Sequence, residues 1–163
     1  MKSVADFFFH PIRGTISSQL SSDVVSAWTA LAGLSEVEAQ RRLSELVLIV
    51  KDKSGKIAGI STAVKTHVPQ IQNYVYVYRC FILPEFRAPA LDTQMIVRSK
   101  ALLAEASLVD TDKRSVGIMV VVQNELLKKH WRQAIWPGAD MMYMGETPQG
   151  HHLRIAYFKG AKI

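Results

Sequence analysis

The sequence predicts an α/β (α+β) domain with a mixed, mostly antiparallel central sheet and helices on both faces. Three observations carry that prediction. Alternating or continuous apolar runs recur at Leu46–Val50, Lys56–Val68, Tyr74–Leu83 and Val116–Val122, the pattern of half-buried or fully buried strands. Segments between them carry apolar residues at helical spacing behind Ser, Asp or Asn. Turn residues such as Asp52-Lys53-Ser54-Gly55 join neighbouring runs as hairpins do. The resulting order is β-α-α-β-β-β-α-β-α-β-β, in one domain spanning residues 1–163.

Taken in order, Val4–Ile12 reads as an edge strand ended by Pro11, which has no N–H to donate. Ser17–Ser22 leads into a helix with Asp23 at its first turn, Val24, Val25, Trp28 and Leu31 on one face, and Gly33 as its stop. Ser35 with Glu38 forms a capping-box pattern that opens a second helix through about Ser44. Pro69 breaks the second long strand, and Tyr74 begins the third. There Tyr74, Tyr76 and Tyr78 share one face, either packed on neighbours or presenting hydroxyls to an acceptor. Asp92 or Thr93 caps a helix to about Ser107, and Asn124 caps another from Glu125 to about Ile135. Two strands close the chain, at about Asp140–Met144 and Leu153–Phe158.

Composition narrows the function classes. With 163 residues, 48% hydrophobic and 21% charged, the chain can bury a sizeable core. A single cysteine, Cys80, excludes an internal disulfide framework, suits a reducing compartment and argues against a cysteine zinc site. Phe7-Phe8-Phe9 is too short for a signal or membrane segment, so a cytoplasmic protein without a membrane partner is expected. The net charge of +6 hints only weakly at an anionic partner, because the lysines and arginines are scattered and form no block of five or more, so nucleic acid is not the expected partner. Three phenylalanines on an edge strand offer an interface for a homodimer.

The element order, together with Ile82-Leu83-Pro84-Glu85-Phe86-Arg87, resembles the GNAT superfamily of acyl-CoA-dependent N-acyltransferases. That family's signature has an apolar residue, any residue, Pro, two more residues, and then Arg or Gln-x-x-Gly-x-Gly or Ala. Val120–Asn124 likewise resembles the family's fifth strand and the asparagine opening its fourth helix. The resemblance implies transfer of an acyl group from acetyl-CoA or another acyl-CoA, without metal, to the amine of a small molecule or protein. It places the cofactor in a wedge between the fourth and fifth strands, its pantetheine on the backbone of Phe81, Ile82 and Leu83. It places the pyrophosphate on Arg87, Ala88, Ala90, Leu91, Asp92 and Thr93, with Asn124 completing the cofactor set. The acceptor would enter over about Ser18–Ser44 and Gly145–His152.

The chain departs from the pattern where chemistry is concentrated. Ala88, Ala90 and Asp92 stand at the loop's glycine positions, and Pro89 lacks an N–H. Alanine suits such a loop if its φ angles stay negative. Asp92 would compete with the pyrophosphate for the helix N–H groups, and Arg87 with Arg98 would offset its charge. No carboxylate lies between Asp52 and Glu85, where relatives place a base. The family's acid tyrosine falls at Trp131. His130 and His67, the latter read as lying in a strand-to-strand loop, are the remaining candidates for proton transfer, and Cys80 reads as a small core residue. Three functions stay open: an active N-acyltransferase, a GNAT-fold binding or assembly module that has lost its CoA chemistry, or a basic nucleic-acid-binding domain, which has charge behind it but no recognisable motif.

Overall fold

The computed structural model describes residues 2–163. Its strands are β1 (Phe7–Pro11), β2 (Leu46–Asp52), β3 (Ile57–Val68), β4 (Asn73–Ile82), β5 (Ser115–Val122), β6 (Ile135–Trp136), β7 (Met141–Glu146) and β8 (His152–Tyr157). Its helices are α1 (Ser18–Leu31), α2 (Glu36–Arg42), α3 (Leu91–Ser107) and α4 (Glu125–His130). The strands form an eight-stranded sheet in the order β1-β2-β3-β4-β5-β8-β7-β6. The β4–β5 register is parallel, and those of β1–β2, β2–β3, β5–β8, β6–β7 and β7–β8 are antiparallel. The chain divides into two compact units, Met1–Ala63 with Arg79–Ser99, and Val64–Tyr78 with Lys100–Ile163.

In the first unit, β1 lies along β2 from Phe7↔Asp52 to Pro11↔Leu48, and it is the edge strand expected from Pro11. Leu46–Val50 are buried one after another, as a strand covered on both faces requires. Asp52 builds the β2–β3 turn, its Oδ1 accepting from Ser54 N and Lys56 N at 2.9 and 3.0 Å, while Gly55 takes a φ of +84°. Ser17 caps α1 by accepting from Leu20 N, so the serines that follow belong to the helix. Asp23 therefore lies within α1, not at its first turn, and accepts from Gln19. Ser35 caps α2 through Glu38 N, but the Glu38 carboxylate turns to Arg41 and Arg42 instead of closing the capping box. A 3-10 turn at Leu43–Glu45 takes over where α2 stops at Arg42.

The second unit has Val68, Val75, Val116, Met119 and Ile155 at its core. Gly117 of β5 is there because nothing larger fits: a Cβ would stand 2.4 Å from the Ala156 carbonyl oxygen. The tyrosines of β4 pack. Tyr74 meets the His67 ring at 5.1 Å, Tyr76 meets Phe158 at 6.3 Å, and Tyr78 is buried. Burial raises the Tyr76 phenol pKa.

The largest departure from expectation is at α4. Asn124 caps it as its sequence position predicts, accepting from Leu126 N and Leu127 N. The helix ends at His130, however, and Ile135 belongs to the short strand β6. The reason is Arg154 of β8, whose side chain is buried with the residue 1% exposed. Its guanidinium donates to the carbonyls of Gln133, Met141 and Trp131 at 2.8, 3.3 and 3.1 Å, and lies 4.5 Å over the Trp136 ring. Carbonyls committed to a guanidinium hold the chain after His130 in an irregular path. Burial lowers the Arg154 pKa, and Tyr143 opposes that shift.

Candidate functional site

The strand-turn-helix from Phe81 to Thr93 lies in the first unit. A 3-10 turn at Pro84–Phe86 follows β4, with Pro84 at a position where its missing N–H costs nothing. Phe86 is buried under Lys2 and Lys56, whose ammonium groups stand 4.1 and 5.4 Å from its ring centroid. Lys56 also pairs with Glu85 at 2.6 Å, and Lys2 donates to the Glu85 carbonyl at 3.0 Å. These contacts fix the turn. Arg87, next along, is exposed; its N–H donates to Pro84 O at 3.4 Å, and its side chain has no hydrogen-bond or ion-pair partner among the described residues.

The loop after Arg87 does not keep to negative φ. Ala90 has a φ of +62°, so a methyl-bearing residue occupies a left-handed position that favours glycine. Helix α3 begins at Leu91, one residue before the expected cap, and Asp92 sits inside its first turn. The Asp92 carboxylate accepts from Thr93 N at 2.7 Å, Leu91 N donates to Ala88 O at 3.2 Å, and Gln94 N donates to Ala90 O at 2.9 Å. Among the described residues, the N–H groups of Ala88, Ala90 and Asp92 have no hydrogen-bond partner. Three open donors thus fall within the five residues Ala88–Asp92, which also carry one carboxylate. Arg98 does not face that carboxylate as expected: its guanidinium lies 4.3 Å over the Phe9 ring.

At the end of β4, Leu83 N donates to Ala58 O at 2.9 Å. Because backbone groups alternate in direction along a strand, the N–H and C=O of Ile82 point away from that partner. Within the second unit, the parallel β4–β5 register stops at Val77↔Met119.

A cavity of about 190 Å³ opens in the first unit against β4, lined among others by Trp28, Arg42, Thr62, Arg79, Cys80 and Phe81. Cys80 is exposed here, not part of the core, with its Sγ 3.6 Å from Met95 Sδ. The two arginines are braced from behind. Arg42 Nε pairs with Glu38 at 2.7 Å, and Arg79 Nη1 pairs with Glu45 at 3.0 Å, the Glu45 side chain being 10% exposed. Arg41 links both carboxylates, at 2.8 Å to Glu38 and 2.6 Å to Glu45. Sequence reading missed this cluster. The i,i+4 spacings of Glu38 with Arg42 and Arg41 with Glu45 signalled only the helical half of it.

The cluster should respond to pH at a low value. Arg41 and then Arg42 hold the Glu38 carboxyl at a pKa of about 2, below an ordinary 4.5. A depressed folded pKa contributes stability above the unfolded value and loses it as pH falls, here between about 4.5 and 2. An NMR titration of Glu38 should therefore show its midpoint near pH 2, and Arg41→Gln should raise that midpoint. An unshifted midpoint in the parent protein would mean that the clamp is open in solution.

The other candidates lie in the second unit. His67 belongs to β3, not to a loop, and is exposed, with its ring against Tyr74. His130 is the exposed last residue of α4. Trp131 follows at the helix C-cap, its ring 5.8 Å from that of Trp136 and its carbonyl accepting from Trp136 Nε1. His152 faces Glu146 at 3.2 Å. Asn124 spends its side-chain oxygen on the α4 cap. Among the described residues, no cluster of His, Cys, Asp and Glu could hold a metal, and no helix is long and apolar enough to cross a membrane.

No family model and no curated protein matches the chain. Solved structures do. A GNAT-family acetyltransferase from Listeria monocytogenes superposes with a TM-score of 0.57 at 16% identity, covering 93% of this chain and 95% of the other. A ribosomal-protein-S5-alanine acetyltransferase from Vibrio fischeri gives 0.62 at 14% identity over 97% and 96%. A GNAT superfamily phosphinothricin acetyltransferase from Sinorhizobium meliloti, in complex with AcCoA, gives 0.62 at 10% identity over 96% and 95%. The chain has the GNAT fold.

Proposed function

We propose that this chain with the GNAT fold is an N-acyltransferase that takes its acyl group from acetyl-CoA or a close analogue. The observation that carries the reading is the set of open N–H groups at Ala88, Ala90 and Asp92 beside the unpaired guanidinium of Arg87. Such a set suits a pyrophosphate, since backbone donors need little rearrangement to meet it and an exposed guanidinium is free to turn onto it. Leu91 and Thr93 belong to the same cradle but give their N–H groups to Ala88 O and the Asp92 carboxylate. Of the β4 backbone, Ile82 is the better partner for a pantetheine amide, because the Leu83 N–H is already committed. Phe81 shares the Leu83 direction.

Bound acetyl-CoA would supply a thioester as acyl donor. The amine nitrogen bonds to the acyl carbon, the C–S bond breaks, and the proton lost by the amine ends on the sulfur. This chain's contribution is positioning. The cradle anchors one reactant while the cavity against β4 can hold the other, and orientation of that kind supplies much of the acceleration in a two-reactant transfer. His67 and His130 are exposed candidates for the proton, and neither is held by a carboxylate in the described structure.

Calorimetry or thermal shift with acetyl-CoA and free CoA tests the reading. At a hundred times its dissociation constant, a ligand should stabilise the protein by about 2.7 kcal/mol. No response at millimolar ligand would exclude it. The second reading, a GNAT-fold binding or assembly module without CoA chemistry, is favoured by one observation: Asp92 already satisfies the Thr93 N–H. CoA binding without thiol release across a panel of amines would select that second reading.

A further inference from the structure

We propose that the cavity lined by Arg42, Arg79 and Cys80 takes an acceptor amine bearing its own oxyanion, a carboxylate or phosphate. The inference rests on the acyltransferase reading and names the substrate class of that activity. The ionisable residues lining the cavity are two arginines and a thiol, with no carboxylate among them. A site for a plain amine or polyamine would be expected to present carboxylates to the ammonium group. Here the carboxylates stand behind the arginines. Glu38 takes the Nε of Arg42, and Glu45 takes one terminal nitrogen of Arg79. Among the described residues the remaining guanidinium nitrogens of both side chains have no partner.

That arrangement is a positioning device. A guanidinium tied by one edge keeps a second edge of donors in a fixed plane, which matches a carboxylate or phosphate in bidentate fashion. Arg41 bridges Glu38 and Glu45, so three arginines share two carboxylates and one positive charge is left uncompensated. The cavity is smaller than the roughly 300–1,000 Å³ of sites that enclose drug-sized ligands, so the occupant is a small molecule. Trp28 and Phe81 supply an apolar wall for its stem.

Cys80 makes the occupancy measurable without turnover. It is the chain's one cysteine, and it is exposed in the cavity wall. Alkylation of the whole protein by iodoacetamide, followed by mass spectrometry, should slow severalfold in millimolar β-alanine or O-phosphoethanolamine. Ethanolamine should leave the rate unchanged. Comparison of the first two probes tells a carboxylate from a phosphate preference. Arg79→Gln and Arg42→Gln should each abolish the protection, with circular dichroism like that of the parent protein showing that the variants fold.

Equal protection by ethanolamine overturns the proposal, as does absence of protection by both anionic probes or protection that survives both substitutions. Acetyl-CoA titrated separately keeps the two readings apart. Cys80 protection without CoA binding leaves the anion site standing and removes the acyltransferase. CoA binding with acetylation of neutral amines and no Cys80 protection does the reverse.

Discussion

Replacing Arg154 by methionine should lower stability by about 3 kcal/mol and open the segment from Trp131 to Met141 before the rest of the second unit. Methionine fills much of the same volume, so the loss comes from polar groups and not from a cavity. The carbonyls of Trp131, Gln133 and Met141 lose a charged donor that meets each of them within 3.3 Å. A hydrogen bond to a charged group is worth about 1.5–3 kcal/mol, and part of that returns because the outer carbonyls can reach water. Arg154→Lys should recover less than half, because one ammonium cannot span three carbonyls as a planar fork does. Denaturant unfolding gives the magnitude, and hydrogen exchange gives the place. Fast exchange confined to 131–141 is the expected pattern. An unchanged rate there would mean that the Trp131–Trp136 contact holds the segment by itself.

Arg154 also shows where the sequence stops being informative. In a terminal strand with Leu153 and Ile155 on either side, it reads as the polar half of an alternation, facing water. It is buried because β8 lies between β5 and β7 and because its guanidinium gathers the irregular chain after α4. No local pattern encodes that gathering, so the α4 end was placed too late. The exposed Cys80 and the arginine cavity were hidden for the same reason: α2, the 3-10 turn at Leu43–Glu45 and β4 meet only in the folded chain. Where the signal is local, the reading was sound. Ser35 and Asn124 cap helices because each hydroxyl or amide oxygen reaches an open N–H within three residues. The Pro84 turn and the Asp52–Gly55 hairpin turn were legible on similar grounds.

The loop between Arg87 and Thr93 allows charge and backbone strain to be separated experimentally, and Asp92→Asn should tighten acetyl-CoA binding roughly thirtyfold, or about 2 kcal/mol. Asparagine keeps a side-chain oxygen for the Thr93 N–H and removes only the charge that a pyrophosphate in the proposed cradle would meet. Two unit charges at about 4 Å interact by about 1 kcal/mol in bulk water and about 4 kcal/mol near a protein surface, which brackets that value. Ala90→Gly acts on the other quantity. The left-handed φ of +62° is strained for alanine by roughly 1–2 kcal/mol, and glycine gives back about 0.4–1 kcal/mol through its freer unfolded chain. The net expectation is a gain of about 1 kcal/mol and a rise in midpoint of about 2–4 °C, with little change in affinity. Calorimetry on the two single variants and the double variant reads both effects, which should add if Asp92 and Ala90 act independently. Weaker acetyl-CoA binding in Asp92→Asn would show that the carboxylate serves some ligand other than a phosphate. It would then count for the binding-module reading and against catalysis.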